Sequence, residues 1–275
     1  MRMKKRGITL ILLAITLCFV AQSFAQFTPE ELTQRAKWEE LLIKGKVVKK
    51  QDLGQGVTKP KRLFLKKDDF EGSGVWKQPT STDAGLFDKW ECEVAAYRLD
   101  KLLELGMVPP TVERRWRGRK GSFQWFCNLP MSEQKRRNEN IPYPEDKKEQ
   151  IDKIIYLSRA FDSLIANTDR SLQNIRFTPD WRLILIDHSR AFRSQRSYRE
   201  QLMYGKYGKR KPLDFPLLPK KFVEKIKGLT YSNIRTAVGE YLTSDEIKAI
   251  LDRKVLLLKE IEEMIQERGE ENVLY

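Results

Sequence analysis

Residues 129 to 150, LPMSEQKRRNENIPYPEDKKEQ, form a charged, proline-bearing stretch that separates two parts of the chain with different apolar periods. Before it, from Val47 onward, short β-favouring pieces alternate with turn residues: KRLFL and GVWK are joined through Asp-Asp and Gly-Ser-Gly. MVPPTVERRW and GSFQWFCN then read as two strands joined by the basic turn RGRKG. After the stretch, helical spacing dominates, with Ile151, Ile154, Ile155, Phe161 and Ile165 inward on a helix over about Lys147 to Ala166. An α+β fold of two lobes follows, a small antiparallel-sheet lobe over 26–128 and a mainly helical lobe over 129–275.

Helices are expected in the first part as well. TPEELTQRAKWEELLIKG opens with Thr28, Pro29 and Glu31 in a capping-box arrangement and closes at Gly45. A second helix is expected over about Phe87 to Leu105, stacking Val94, Tyr97, Leu102 and Leu103 and stopping at Gly106. In the second part, a short hairpin turns at Thr178-Pro179-Asp180, and its apolar return strand RLILID is expected to be covered on both faces. RSQRSYREQLMYGKYGKRKP reads as a loop, and the chain ends in a long helix capped by Thr243 and Glu246 and closed near Gly269.

The first 25 residues have the three parts of a secretory signal: the basic head Arg2, Lys4, Lys5 and Arg6, an apolar run from Ile8 to Val20, and the small-x-small exit Ser23-Phe24-Ala25. Cleavage after Ala25 is the first reading, an uncleaved anchor the second and a lipid anchor on Cys18 the third. The first two place the rest of the chain outside the cytoplasm, periplasmic or secreted. Removing the head's four positive charges, with no acid among residues 1 to 25, takes the formal net charge from +14 to +10. A domain this basic is expected to meet anionic partners. Cys92 and Cys127 remain, and two unbridged buried thiols is the preferred reading. With His188 the only histidine, multi-histidine zinc sites and most histidine-based triads are excluded, and general-base work falls to a carboxylate.

Three polar residues stand at the edges of apolar segments: Asp169 at a helix end, Asn174 five residues on, and Asp187 thirteen beyond that, at the end of the return strand. An acid that orients a hydroxyl, with an amide and a second acid as oxygen ligands for Mg²⁺, is the set that phosphoryl transfer requires. Turns rich in Asp and Asn are common, so this spacing gains weight only from further parts. Lys77 lies in the apolar strand context GVWKQP, and Glu93, sixteen residues later, can supply its counter-charge. The bland alternative is an ordinary surface lysine and a solvated helix face. The turn LGQGVTKP carries Gly54, Gly56 and Thr58, whose backbone amides could approach phosphate, although the full Gly-x-Gly-x-x-Gly is missing.

GQGVT, GVWKQP, ECEVAAYRLDKLLELGMVPPTVER, GSFQWF, NTDRSLQN and LIDHSRAF, in this order from about Leu53 to Phe192, resemble the bacterial phosphatidylinositol 3-/4-kinase-like family. That family is similar to HipA-type kinases and to the secretory-pathway kinases of animals. The resemblance implies a two-lobed protein-kinase-like fold using ATP with Mg²⁺ or Mn²⁺. Lys77 would contact ATP phosphates and pair with Glu93, GSFQWFCN would run into the adenine-binding hinge, Asp169 would be the catalytic acid, and Asn174 and Asp187 would hold the metal. Here His188-Ser189 stands where Phe-Gly is usual after the metal acid, and Asn167-Thr168 where His-Arg usually precedes the catalytic one.

Two segments interleave positive charge with aromatics, ERRWRGRKG and RSQRSYREQLMYGKYGKRK. The first reads as a plain hairpin turn; the second is better placed to touch an acceptor. The leading expectation is an exported phosphotransferase acting on a protein or lipid hydroxyl, with contact to a membrane surface allowed and nucleic acid not the expected partner. The rivals are a non-catalytic pseudokinase binding an anionic partner in the envelope, and AMP transfer from the same nucleotide site.

Overall fold

A computed structural model describes residues 26–54, 60–79, 88–210 and 213–275. The first helix, α1 (Pro29–Lys44), starts as its sequence dictates. Thr28 accepts from the Glu31 amide at 3.2 Å and Glu31 accepts from the Thr28 amide at 2.8 Å, which closes the capping box. Five antiparallel strands follow, β1 (Lys46–Asp52), β2 (Lys61–Lys67), β3 (Phe70–Lys77), β4 (Thr111–Trp116) and β5 (Arg119–Trp125), in the order β1-β2-β3-β5-β4. The β4–β5 turn places Arg117 and Gly118 at φ 49° and 79°, the two left-handed positions of a tight hairpin, as RGRKG predicts.

Period 2 sorts the sheet into two faces. On one, Leu63, Leu65, Trp76, Val112 and Phe123 pack with Leu41 and Leu42 of α1. Gly74 permits this approach, since a Cβ there would stand 2.7 Å from the Leu42 side chain and 2.6 Å from the Phe123 ring. On the other face lie Ser73, Val75 and Lys77. Helix α2 (Trp90–Leu103) packs against β4 and β5 while contributing Cys92, Ala95, Ala96, Leu99 and Leu103 to the larger, helical core.

That core is built around α4 (Lys148–Ile165) and α8 (Ser244–Arg268), with α6 (Lys220–Lys227) and α7 (Tyr231–Val238) beside α8. A small sheet, β6 (Met131–Ser132), β7 (Ile175–Phe177) and β8 (Leu183–Leu185), carries the expected hairpin, and Leu183, Ile184 and Leu185 are all buried. Thr243 and Glu246 cap α8 with a reciprocal box of the same kind, and Gly269 follows its last residue.

Several boundaries differ from the sequence reading. Residues 80–87 fall outside the described ones, so α2 is described from Trp90; it ends at Leu103 because Glu104 turns left-handed at φ 60°. Leu102 and Ile155 are only partly buried, at the rim of the core. The charged stretch after Leu129 holds β6 and a short helix, α3 (Glu133–Asn138). Ser132 caps α3 at the Lys135 amide, and the buried Glu133 carboxylate takes Arg136, Arg137 and the Tyr143 hydroxyl, so two of the stretch's arginines are paired within it. The basic segment after Asp187 is mostly loop, with one short helix, α5 (Arg196–Arg199). Cys92 and Cys127 are free thiols, the first buried and the second half-buried. Among the described residues no helix is long and apolar enough to cross a membrane; the expected signal segment lies outside them.

The connection from α2 into β4 is fastened by Asp100. Its Oδ1 accepts from the amides of Met107 at 2.9 Å and Val108 at 3.2 Å, while Oδ2 has no hydrogen-bond partner among the described residues. Burial pushes the Asp100 carboxyl up to about 7, the amides pulling the other way. The folded form therefore keeps a proton that an unfolded aspartate, with a pKa of about 3.9, gives up. This group favours folding most below pH 4, and its contribution declines as pH rises from about 4 to 7. Thermal unfolding between pH 5 and 8 checks this: Asp100→Asn, an isostere of the neutral acid, is expected to gain stability relative to the wild type as pH rises, with the largest gain at pH 8.

Candidate functional site

Lys77 ends β3 with its ammonium pointing toward α2. Nζ lies 3.0 Å from Glu93 Oε1 and 3.0 Å from Asp187 Oδ1, so one cation joins the sheet, the helix and the segment after β8. Burial alone would lower the Lys77 pKa, but Glu93 and then Asp187 reverse this and hold it above its usual range. Glu93 is 2% exposed, and burial by itself would neutralise it. Lys77 and the contacts from His188 prevail and keep it ionised, well below the usual carboxylate range.

The second oxygen of Glu93 accepts the His188 backbone amide at 3.0 Å. The His188 ring is fully buried, with Nε2 2.8 Å from Arg170 Nη2. An arginine can only donate, so Nε2 accepts and the ring proton belongs on Nδ1, which faces Glu93 Oε2 at 3.8 Å. Burial, reinforced by Arg170, lowers the His188 pKa and favours this neutral form. Arg170 also donates to both oxygens of Asp162 on α4, at 2.8 and 3.1 Å, and to the carbonyls of Asn174 and Ile186. A continuous polar chain thus runs from Asp162 through Arg170, His188 and Glu93 to Lys77 and Asp187.

Helix α4 stops at Ile165 because Ala166 is left-handed at φ 47°. The buried Asn167 then bonds Asp162 with its amide nitrogen and receives the Asp169 backbone amide on its Oδ1, which fixes the turn that presents Asp169. Asn174 Nδ2 donates to the Asp169 carbonyl at 3.2 Å, and the Ile186 amide donates to the Asn174 carbonyl at 3.1 Å. Asp169 and Asn174 therefore share one turn held against the residues that follow β8, which stops at Leu185, two residues short of the expected strand end at Asp187. Asp187 adopts φ 62°, in the left-handed region that Asp tolerates better than most residues. Asp169 is partly exposed, and Arg190 Nη1 stands 3.4 Å from its Oδ2. Burial raises the Asp169 pKa while Arg190 opposes, and Asp187 is close enough to add to the rise.

The carboxylates of Asp169 and Asp187 and the side-chain oxygen of Asn174 are hard oxygen donors, the type that Mg²⁺ or Mn²⁺ takes. The donor set fits a divalent ion on chemical grounds. Among the described residues no cluster of three His, Cys, Asp or Glu side chains forms a metal cage, so such an ion would share its coordination with a ligand or water. Gly54 is at φ 65°, with no described residue within 4 Å of a Cβ built on it. Gly56 and Thr58 lie outside the described residues.

Several participants are absent from the sequence reading. Arg190 forks onto Asp88, with Nε 3.0 Å from Oδ1 and Nη2 3.2 Å from Oδ2, and Ser189 Oγ adds a third bond at 2.8 Å. These bonds fasten the entrance to α2 to the segment after Asp187. Arg210 donates to the carbonyls of Thr168 at 2.6 Å and Arg170 at 2.9 Å, the residues flanking Asp169. The loop that carries Arg210 rests on the buried Glu260 of α8, which accepts the amides of Lys206 and Tyr207. A Cβ at Gly205 (φ 87°) would stand 2.0 Å from Glu260 Oε1. The fully buried Arg253 of α8 holds the carbonyls of Leu164, Arg193 and Tyr198.

The basic segment after Asp187 is consequently less open to anions than its charge suggests. Arg196 pairs with Glu200, Arg199 with Asp252, and Lys206 with Glu263. Lys209 lies over the Tyr198 ring at 3.8 Å.

A five-stranded sheet with a helix-borne glutamate on its strand lysine, above a helical half that supplies an Asp/Asn turn and a hairpin-end Asp, is a protein-kinase-like fold. Solved structures share it. A hydra Fam20 structure with sugar superposes with a TM-score of 0.62 at 14% identity, covering 90% of this chain and 93% of its own. A Golgi casein kinase superposes at 0.61 and 15% identity, covering 92% of this chain and 80% of its own. Its form with Mn/ADP bound superposes at 0.59 and 14%, with the same coverage. No protein-family model matches the sequence, and no curated protein matches it at a significant level.

Arg170 and Asp162 are 6% and 1% exposed, so removing one leaves the other charged in a site closed to water. Arg170→Met is expected to cost about 3–5 kcal/mol of unfolding free energy, the usual consequence of breaking a buried pair. Urea denaturation measures it.

Proposed function

We propose that this protein is an exported kinase-like phosphotransferase that moves a phosphoryl group from a nucleoside triphosphate, Mg-ATP or Mn-ATP, to the hydroxyl of a protein or lipid. The observation that carries this reading is the position of Lys77, within 3.0 Å of both Glu93 and Asp187. A half-buried ammonium held by two carboxylates of separate elements is a ready phosphate ligand, and Glu93 keeps it aimed. Asp187 and Asn174 would hold the divalent ion, which supplies neutralisation of phosphate charge. Asp169 lies at the open side of the same turn, where it accepts a hydrogen bond from the attacking hydroxyl and sets its direction. Residues 26–128 and 129–275 are taken as the two lobes.

The likeness to a casein kinase solved with Mn/ADP supports the nucleotide and the metal, and its Golgi origin accords with the signal-like first 25 residues. The finer kinship suggested by VPPTVER, NTDRSLQN and LIDHSRAF is with the bacterial phosphatidylinositol 3-/4-kinase-like and HipA-type enzymes.

Thermal shift is the first test. Mg-ATP or Mn-ATP at about 100 times its Kd is expected to stabilise the wild type by about 2.7 kcal/mol, and Asp187→Ala to lose the metal-dependent part. A wild type that gains nothing from a nucleoside triphosphate with either ion would overturn the proposal. In Asp169→Ala, nucleotide binding should persist while transfer falls about 10²–10⁴-fold. ATP labelled at the γ- or the α-phosphate separates phosphoryl from AMP transfer. Binding with no transfer to any acceptor, water included, and no change in Asp169→Ala marks a pseudokinase.

A further inference from the structure

The sheet face that carries Lys77 is ordered in rows across the strands. Ser122 pairs with Lys77, Arg62 and Gln124 pair with Val75, and Phe64 pairs with Ser73. The Phe126 amide donates to the Ser73 carbonyl at 3.0 Å, which extends the ladder and places Phe126 in the Phe64 row. Paired residues share a face, and rows two residues apart are separated by about 7 Å. Past Lys77 the Trp90 amide bonds the Pro79 carbonyl, so the start of α2 stands against the end of β3. A nucleotide with its phosphates at Lys77 must therefore run back along β3, with sugar and then base under the rows of Arg62 and Phe126.

Arg62 is fixed there. Its guanidinium carbon lies 3.5 Å from the Phe126 ring centroid and 4.6 Å from that of Phe64, and Nε donates to Ser73 Oγ at 3.1 Å. Two rings and a hydroxyl set the plane of the group. Its outer edge, Nη1 and Nη2, meets no hydrogen-bond acceptor among the described residues. A rigid fork of donors matches two adjacent acceptors on one planar partner. Guanine presents such an edge in O6 and N7, whereas adenine sets a donor, N6, beside its single acceptor N7.

We infer that Arg62 reads the nucleobase and that the cleft prefers a 6-oxopurine, so that GTP binds more tightly than ATP. This inference rests on the phosphotransferase reading of the same cleft and specifies its donor. Titrations of the wild type with Mn-GTP and Mn-ATP, followed by thermal shift, should favour GTP by about fivefold or more, the low end of what a two-bond fork supplies. Arg62→Ala should erase this ratio while both nucleotides still bind. Arg62→Lys, which keeps the charge and most of the stem but not the fork, should also erase it. Equal or tighter binding of ATP by the wild type, or a ratio that survives both substitutions, overturns the inference and leaves the phosphotransferase reading standing. Binding of neither nucleotide overturns both.

Discussion

The Glu93 carboxylate is the point on which the two halves of this protein agree. It is buried, and an isolated carboxylate in such a place would take up a proton. It stays charged because one oxygen meets Lys77 from the sheet and the other meets the His188 amide from the helical half. Each partner arrives on a different element, so the charge is satisfied only when β3, α2 and the segment after β8 are in register. The cleft is held together by the same bonds that make its lysine usable.

Behind Glu93 the chain of polar contacts continues inward. Neutral His188 passes the constraint to Arg170, and Arg170 ties it to Asp162 and to the carbonyls of Asn174 and Ile186. The turn that carries Asp169 and the residues that lead from β8 to Asp187 are therefore fixed by one guanidinium. Arg210 does the same from the outer side through the carbonyls that flank Asp169. Many polar side chains near this cleft position backbone, Asn174 among them through the Asp169 carbonyl, while Lys77 and Asp187 hold each other across it.

The legible part of this site is the part with local signals. Lys77 stood out as a charge inside an apolar strand, Asp169 and Asn174 as polar residues at a helix end, and Asp187 as the close of an apolar run. Glu93 is readable only as the counter-charge that Lys77 needs. Asp162 was the missed local signal, an acid on the buried face of an otherwise apolar helix. Arg190 and Arg210 had none, because sequence charge does not tell a solvated arginine from one that folds back onto a carboxylate or a carbonyl. The same ambiguity hid α3, whose charges pair around Glu133, and made the segment after Asp187 look like an open basic surface.

That last segment has a consequence for control. It is pinned by Arg253 at its start and by Glu260 further along, and its Arg210 grips the turn beneath Asp169. Rearranging it would expose a buried guanidinium and a buried carboxylate together, so the fold supplies no hinge there on which an on–off signal could act. The turn beneath Asp169 is thus set by the helical half itself, in place before anything enters the cleft.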